Sequence, residues 1–288
     1  MLNTTYFRPE NLDDALAALQ EKEFENVVMA GGTDLMVALR SHGQSLKRVI
    51  DISRIKELND VTVSDAKISI GAGVTFSKVM VNDILKKQAP LLVAACSQVG
   101  SPQIRNMGTI GGNIVNAAVC ADSIPALVCL DAVLHLVKMD SKRELKIDEF
   151  VLGRNQTKIE CGELLTHITF DIQKPGERWS FIKLGRRNAV AISRLTVAIR
   201  GDLDNNDRIQ TVHIALGAVT AQIDKWLCVE EFLVGKTPDA ALFKRSGEMV
   251  AEQMIAKYGR RWSTEYKEIA VARLVERALE QAFLKKIQ

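Results

Sequence analysis

Two glycine pairs set the chemistry that this sequence can do. The first lies in Val27-Val28-Met29-Ala30-Gly31-Gly32-Thr33-Asp34-Leu35, an apolar run that breaks at the glycines before a helical pattern resumes. The second lies in Gly108-Thr109-Ile110-Gly111-Gly112-Asn113-Ile114, preceded by Ser101-Pro102-Gln103-Ile104-Arg105-Asn106. Glycines let a backbone approach an anion closely, and the N–H groups of a first helical turn point toward it. A strand, a double glycine and a helix start therefore suit a phosphate. Neither segment is G-x-G-x-x-G, and no lysine follows as in a nucleotide-triphosphate loop, so those standard readings fail. Each segment alone also reads as a plain turn, the first more naturally so. Two in one chain point to an extended, phosphate-bearing ligand. Thr109 and Asn113 can add side-chain donors, and Asp122 can either accept a bond from a sugar-like hydroxyl or cap a helix.

The surrounding elements must hold these segments in place. Asn11 can cap a helix over residues 12–20, with Leu12, Ala15, Leu16 and Leu19 on one face. Residues 27–30 and 49–52 read as buried strands, with a helix over 34–40 between them and a helical turn over 54–58 after them. Residues 61–64 and 67–71 read as a hairpin. Helices are expected over 76–85, 90–99 and 123–130, and the stretch 101–113 reads as turn. A second hairpin spans 133–139 and 144–147, followed by a strand over 164–172 with alternating faces. At Lys174-Pro175-Gly176 the pattern changes, which marks a domain boundary. Long strands over 181–184, 193–203 and 211–219 follow, then helices, the last over 264–286 with an apolar stripe. Strands and helices without a steady βαβ alternation predict an α+β fold.

Composition excludes several function classes. Thirty-eight basic residues against thirty-five acidic ones leave a net charge of +3, spread along the chain. That gives no electrostatic case for nucleic acid or a membrane surface. No run of about eighteen apolar residues suggests a membrane span, and the N-terminus does not read as a signal peptide. Cys96, Cys120, Cys129, Cys161 and Cys228 are odd in number and widely spaced, as reduced thiols in a cytoplasmic protein would be. No metal-ligand spacing occurs among them, so a zinc or iron–sulfur site of the chain's own is not expected.

The segment from Val28 to Leu35, followed by residues 101–106 running into Thr109-Ile110-Gly111-Gly112-Asn113, resembles the FAD-binding (medium) subunit of the molybdenum hydroxylases. That family includes the medium subunits of xanthine, nicotinate and carbon monoxide dehydrogenases. The likeness extends over the chain, from Tyr6-Phe7-Arg8-Pro9 through Phe181-Ile182-Lys183 to the C-terminal helices. It implies a two-subdomain FAD-binding domain of the PCMH type over 1–175, divided near 58. A sheet-plus-helix domain of the carbon monoxide dehydrogenase flavoprotein type would follow over 176–288. It implies that Val27 to Leu35 wrap the pyrophosphate and adenosine side of FAD. Thr109, Ile110, Gly111, Gly112 and Asn113 would form the second pyrophosphate loop, with Gly100 nearby. Asp122 would meet the ribityl chain, Leu165 would offer a backbone contact, and Lys183 would lie near the isoalloxazine. A lone lysine is ordinarily solvated, and Arg186 and Arg187 read as a solvated pair. The loop over 184–192 matches the one beside the flavin ring.

The same likeness implies an iron–sulfur subunit and a molybdopterin-binding subunit as partners, with electrons leaving to NAD+ or another acceptor. It points toward a xanthine dehydrogenase-like enzyme acting on an N-heteroaromatic substrate held by a partner. The alternatives are a nicotinate or carbon monoxide dehydrogenase flavoprotein subunit, or a self-contained flavin reductase. The flavin carries the redox chemistry, so no residue of this chain is assigned as a catalytic acid, base or metal ligand. A branch with an extra iron–sulfur cluster is disfavoured, because Cys129 stands alone between Asp122 and Asp148.

Overall fold

Strands β1 (Thr4–Phe7), β2 (Glu25–Met29) and β3 (Lys47–Asp51) form a parallel sheet in the order β1-β3-β2. The computed structural model describes residues 4–42, 47–187, 190–219, 225–260 and 264–285. Helix α1 (Leu12–Gln20) links β1 to β2, and α2 (Leu35–His42) follows β2. Asn11 starts α1 by accepting the Asp14 N–H, and Ala15, Leu16 and Leu19 turn inward against Ile50, Ile52 and Leu58. That is the face the helical spacing predicts. Asp51, at the end of β3, accepts hydrogen bonds from the Tyr6 hydroxyl and the Arg8 guanidinium, which ties β1 to β3. Burial would raise the Asp51 carboxyl, but the bonds from Tyr6, Ser53 and Arg8 outweigh it and hold the group below its ordinary range.

After a single 3₁₀ turn at Lys56–Leu58 come strands β4 (Val61–Ser64) and β5 (Lys67–Gly71). The chain then makes short helices: α3 (Phe76–Val81), α4 (Asp83–Gln88), α5 (Pro90–Ser97), α6 (Pro102–Met107), α7 (Ile110–Asn116) and α8 (Ser123–Cys129). Strands β6 (Val133–Val137) and β7 (Lys142–Lys146), helix α9 (Ile147–Phe150), the small pair β8 (Val151–Gly153) and β9 (Gln156–Thr157), and β10 (Leu164–Asp171) follow. The second sheet runs β4-β5-β10-β6-β7, all antiparallel. The C-terminal part has a sheet of β11 (Arg178–Gly185), β12 (Ser193–Leu203) and β13 (Ile209–Gly217) with helices α10 (Leu227–Leu233), α11 (Ala240–Tyr258) and α12 (Thr264–Phe283). Val197, Ile199 and Ile214 of the sheet bury against Phe243, Val275 and Leu279 of the long helices.

Two sequence expectations need correction. The helix expected over 76–85 is two helices, because Asn82 adopts an extended backbone (ψ 121°) and closes α3. The stretch read as turn over 101–113 is two short helices. Ser101 caps α6 with Pro102 in its first turn, and Thr109 caps α7. Glycines 111 and 112 lie inside α7 because close packing, not turn geometry, requires at least the first of them. The predicted end of the last helix at Lys286 falls outside the described residues.

The chain forms two compact units. One comprises Met1–Asn82, Val99–Ala118 and Asp131–Ile172; the other comprises Asp83–Gln98, Val119–Leu130 and Gln173–Gln288. The pattern change at 174–176 lies just past the last crossing between them, and the break at Asn82 coincides with the first.

On the second sheet, His135 of β6 and His167 of β10 are register partners whose rings stack 3.9 Å apart, 12° from parallel. Burial lowers both imidazoles below the ordinary 6.5; Lys67 adds to this for His135, His135 and Lys142 add to it for His167, and Glu144 opposes it. The folded chain therefore binds these protons less readily than the unfolded chain. Their contribution to stability is full above pH 6.5 and is lost as pH falls through the lowered folded values. The thermal midpoint should accordingly drop between pH 7.5 and 5.5 by less in His167→Gln than in the parent chain. Equal drops would show that the pair does not matter to acid stability.

Candidate functional site

The first glycine pair caps the end of β2. Ile52 donates its N–H to Met29 O at 2.9 Å, which closes the sheet just before the glycines. Gly32 has φ +68°, a left-handed turn that glycine adopts without strain, and the chain then enters α2. The first backbone bonds of that helix are Met36 N–H to Gly32 O and Ala38 N–H to Asp34 O, both 3.0 Å. Among the described residues, no acceptor takes the N–H groups of Gly31, Gly32, Thr33, Asp34 or Leu35. Five neighbouring amides without an acceptor among the described residues leave N–H donors for an anion.

The second pair is built differently. Thr109 caps α7: its Oγ1 accepts the Gly112 N–H at 3.0 Å. Gly111 donates to Ala72 O at 2.9 Å, Ile110 donates to Val74 O at 3.0 Å, and Asn113 donates to Thr109 O at 3.0 Å. The backbone amides expected to face a ligand here are thus occupied within the protein. They fasten the loop to the segment that follows β5. The Thr109 hydroxyl keeps its own hydrogen for donation, and beyond Thr109 Oγ1 a β-carbon at Gly112 would meet nothing within 4 Å. The second loop offers a bare backbone face and a hydroxyl rather than a row of free amides.

The two loops meet through backbone. A β-carbon on Gly31 would overlap the Met107 carbonyl oxygen and lie 2.6 Å from its carbon and 3.0 Å from Gly108 Cα. One on Gly111 would overlap the Ala72 side chain and lie 2.6 Å from Ala72 O. Both positions require glycine for this close approach. Gly100, with φ +43°, precedes α6, where the Arg105 guanidinium holds the carbonyls of Val99 and Gly100 at 2.9 and 3.1 Å. Leu165 is buried on β10 beside a bulge. Val27, Val28, Met29 and Ala30 form the strand and its exit.

Asp122 and Lys183 belong to the other unit, where they form a buried ion pair. Lys183 Nζ lies 2.7 Å from Asp122 Oδ2 and 2.7 Å from Gln98 O, and the Ser193 hydroxyl donates to Asp122 Oδ1. Burial pushes the Asp122 carboxyl up, while Lys183 and Ser193 pull it back. The lysine read from sequence as ordinarily solvated is therefore a buried partner. No signal in the sequence marks Ser193. Arg186 and Arg187 are exposed, as expected of a solvated pair, and Arg187 holds Val190 O at 2.6 and 3.0 Å. Asn188 and Ala189 of the loop matched to the flavin ring lie outside the described residues. Among the described residues no group of three or more His, Cys, Asp and Glu could hold a metal ion. None of their helices is long and apolar enough to cross a membrane.

Residues 2–170 match the family described as the FAD binding domain in molybdopterin dehydrogenase, and residues 180–282 match the CO dehydrogenase flavoprotein C-terminal domain. The chain is 34% identical over 197 residues to the nicotinate dehydrogenase FAD-subunit of Eubacterium barkeri, 67% of either chain. It is 31% identical over 278 residues to the glyceraldehyde dehydrogenase medium chain of Sulfolobus acidocaldarius, covering 96% of this chain and 97% of that one. It is 27% identical over 280 residues to the xanthine dehydrogenase FAD-binding subunit of Escherichia coli O157:H7, covering 96% and 95%. A structure of carbon monoxide dehydrogenase from Hydrogenophaga pseudoflava shares its fold, with a TM-score of 0.90 at 24% identity over 98% and 97% of the two chains. FAD carries two phosphates, and five free amides beside a bare glycine backbone fit that charge without a metal. The chain is a member of the FAD-binding subunits of the molybdenum hydroxylases, with FAD as its cofactor.

Proposed function

We propose that Val27 to Leu35 and Thr109 to Asn113 hold the FAD pyrophosphate. We further propose that the chain passes electrons from an iron–sulfur subunit to NAD+ or another acceptor, within a complex whose molybdopterin subunit oxidises an N-heteroaromatic substrate. The observation that carries this reading is the backbone contact of Gly31 with Met107 and Gly108, which joins two distant glycine segments beside five unpaired amides. FAD, when bound, supplies reversible electron transfer between two-electron and one-electron partners. The protein's share is binding and tuning. The free amides of residues 31–35 offset phosphate charge, and the Thr109 hydroxyl has a hydrogen to donate. Gly100, Asp122, Leu165 and Lys183 keep the flavin roles that the family resemblance gives them. An ammonium such as Lys183 near a flavin favours electron density on its reduced form. The reading also takes 1–175 as the FAD-binding part, 176–288 as the flavoprotein C-terminal part, and the cytoplasm as the location.

For the substrate, a xanthine dehydrogenase-like activity is the first reading, supported by the nearly full-length similarity to the xanthine relative. Nicotinate is the second, favoured by the 34% identity to the nicotinate relative. The test is to purify the chain with the subunits that accompany it and assay xanthine, hypoxanthine and nicotinate with NAD+. Xanthine- or hypoxanthine-dependent NADH formation supports the first reading, and turnover of nicotinate alone replaces it with the second. A chain that stays colourless after FAD is added would sink the proposal at its base.

A further inference from the structure

One residue outside both glycine loops is linked by hydrogen bonds to the second of them. Strand β10 pairs with β6 through Leu165 opposite Leu136 and His167 opposite His135, so Thr166 is an extra residue, a β-bulge. Its side chain is buried, and the hydroxyl donates to His135 O at 3.1 Å. Having spent its hydrogen there, Thr166 Oγ1 accepts from His167 Nδ1 at 3.0 Å, which fixes the Nδ1-protonated form of that ring. On its other edge Thr166 keeps the β5 register, one step beyond His167 opposite Gly71, and its carbonyl accepts the Ala72 N–H at 2.8 Å. The Ala72 carbonyl in turn accepts the Gly111 N–H at 2.9 Å, with the Ala72 side chain in contact with the Gly111 backbone. Two hydrogen bonds therefore connect the bulge to the second glycine loop, and the threonine hydroxyl pins the bulge from its other side.

We propose that Thr166 is a positioning residue for FAD: its hydroxyl locks the β10 bulge, and the bulge sets the position of Ala72 and hence of Gly111-Gly112. The inference rests on the reading that residues 109–113 bind FAD. A valine at this position keeps the shape and removes both side-chain bonds, whereas a serine keeps both.

The test uses the full chain titrated with FAD, reading flavin fluorescence quenching and the visible circular dichroism of the bound flavin. Thr166→Val should weaken FAD about tenfold, the order expected for a lost buried hydrogen bond, and change the flavin dichroism. Thr166→Ser should restore both. Parent-like binding by Thr166→Val, or equal losses in the valine and serine variants, would overturn the proposal. Should the valine variant fail to fold, His167→Gln removes one of the two side-chain bonds and should weaken FAD by a smaller factor; unchanged binding there counts against the idea. Gly31→Ala, run beside them, separates the two levels of the argument. If it and Gly112→Ala both bind FAD normally, the loop reading itself is wrong; if they do not while Thr166→Val does, only the role of Thr166 falls.

Discussion

Alanine at Gly31 is expected to cost the chain its FAD while leaving most of its secondary structure in place. The added methyl would overlap the Met107 carbonyl oxygen and crowd the Met107 carbon at 2.6 Å. The obstacle is backbone, which has no rotamer to swing away, so the two glycine segments must separate. Overpacking of this kind costs about 3 kcal/mol, equivalent to about a hundredfold in binding. The cost falls on FAD affinity because the loops meet where the five free amides gather. Gly112→Ala makes the contrasting case. Its methyl meets only Thr109 Oγ1, at 2.9 Å, and alanine is favoured over glycine within a helix by about 1 kcal/mol. That variant should melt close to the parent, since the helix gain is offset by displacing the Thr109 hydroxyl from its cap bond, and still bind FAD more weakly, because the methyl covers the open backbone face. Equilibrium dialysis with FAD, read beside far-ultraviolet circular dichroism, distinguishes the two. If both variants retain FAD with parent affinity, the pyrophosphate does not lie at these loops.

Much of this site was legible in the sequence because its parts are local. A strand that ends in two glycines before a helical pattern is visible as such, and the amides it leaves free follow from the helix start. The roles of the second pair were not legible, because they depend on a partner thirty-nine residues earlier in the chain. Periodicity does not reveal that Ala72 takes the Gly111 N–H, so the sequence suggested free amides where the fold has bonded ones. The short helices α6 and α7 read as turn from sequence for a related reason: three glycines and a proline outweigh two caps in any local reading. The strand alternation over 164–172 was legible, but the bulge at Thr166 was not, since an extra residue is defined only against its neighbour on β6. The ion pair of Asp122 and Lys183 spans sixty-one positions. From sequence each of its members has an ordinary surface explanation, and only burial turns them into a pair.

That pair gives the second large effect. Lys183→Met is expected to destabilise the chain by about 3–5 kcal/mol at neutral pH, the range for one partner removed from a buried ion pair. The methionine fills much of the space but leaves Asp122 charged, with Ser193 as its remaining side-chain donor, and it strips Gln98 O of the ammonium bond. Burial already pushes the Asp122 carboxyl above its ordinary 3.8, and Lys183 is the first of the groups that hold it back. Without the lysine the folded-state value rises further. A carboxyl raised in the folded state binds protons more readily there than in the unfolded chain. Its effect is therefore most favourable below 3.8 and is lost as pH rises through the folded value. The variant should accordingly lie closer to the parent in acid, with a gap in denaturant midpoint that is smaller at pH 5 than at pH 8. Asp122→Asn combined with Lys183→Met should recover part of the loss, since no charge is then left buried without a counter-ion. A gap that does not change with pH, together with simple additivity of the two substitutions, would mean that Lys183 stabilises this unit by packing alone.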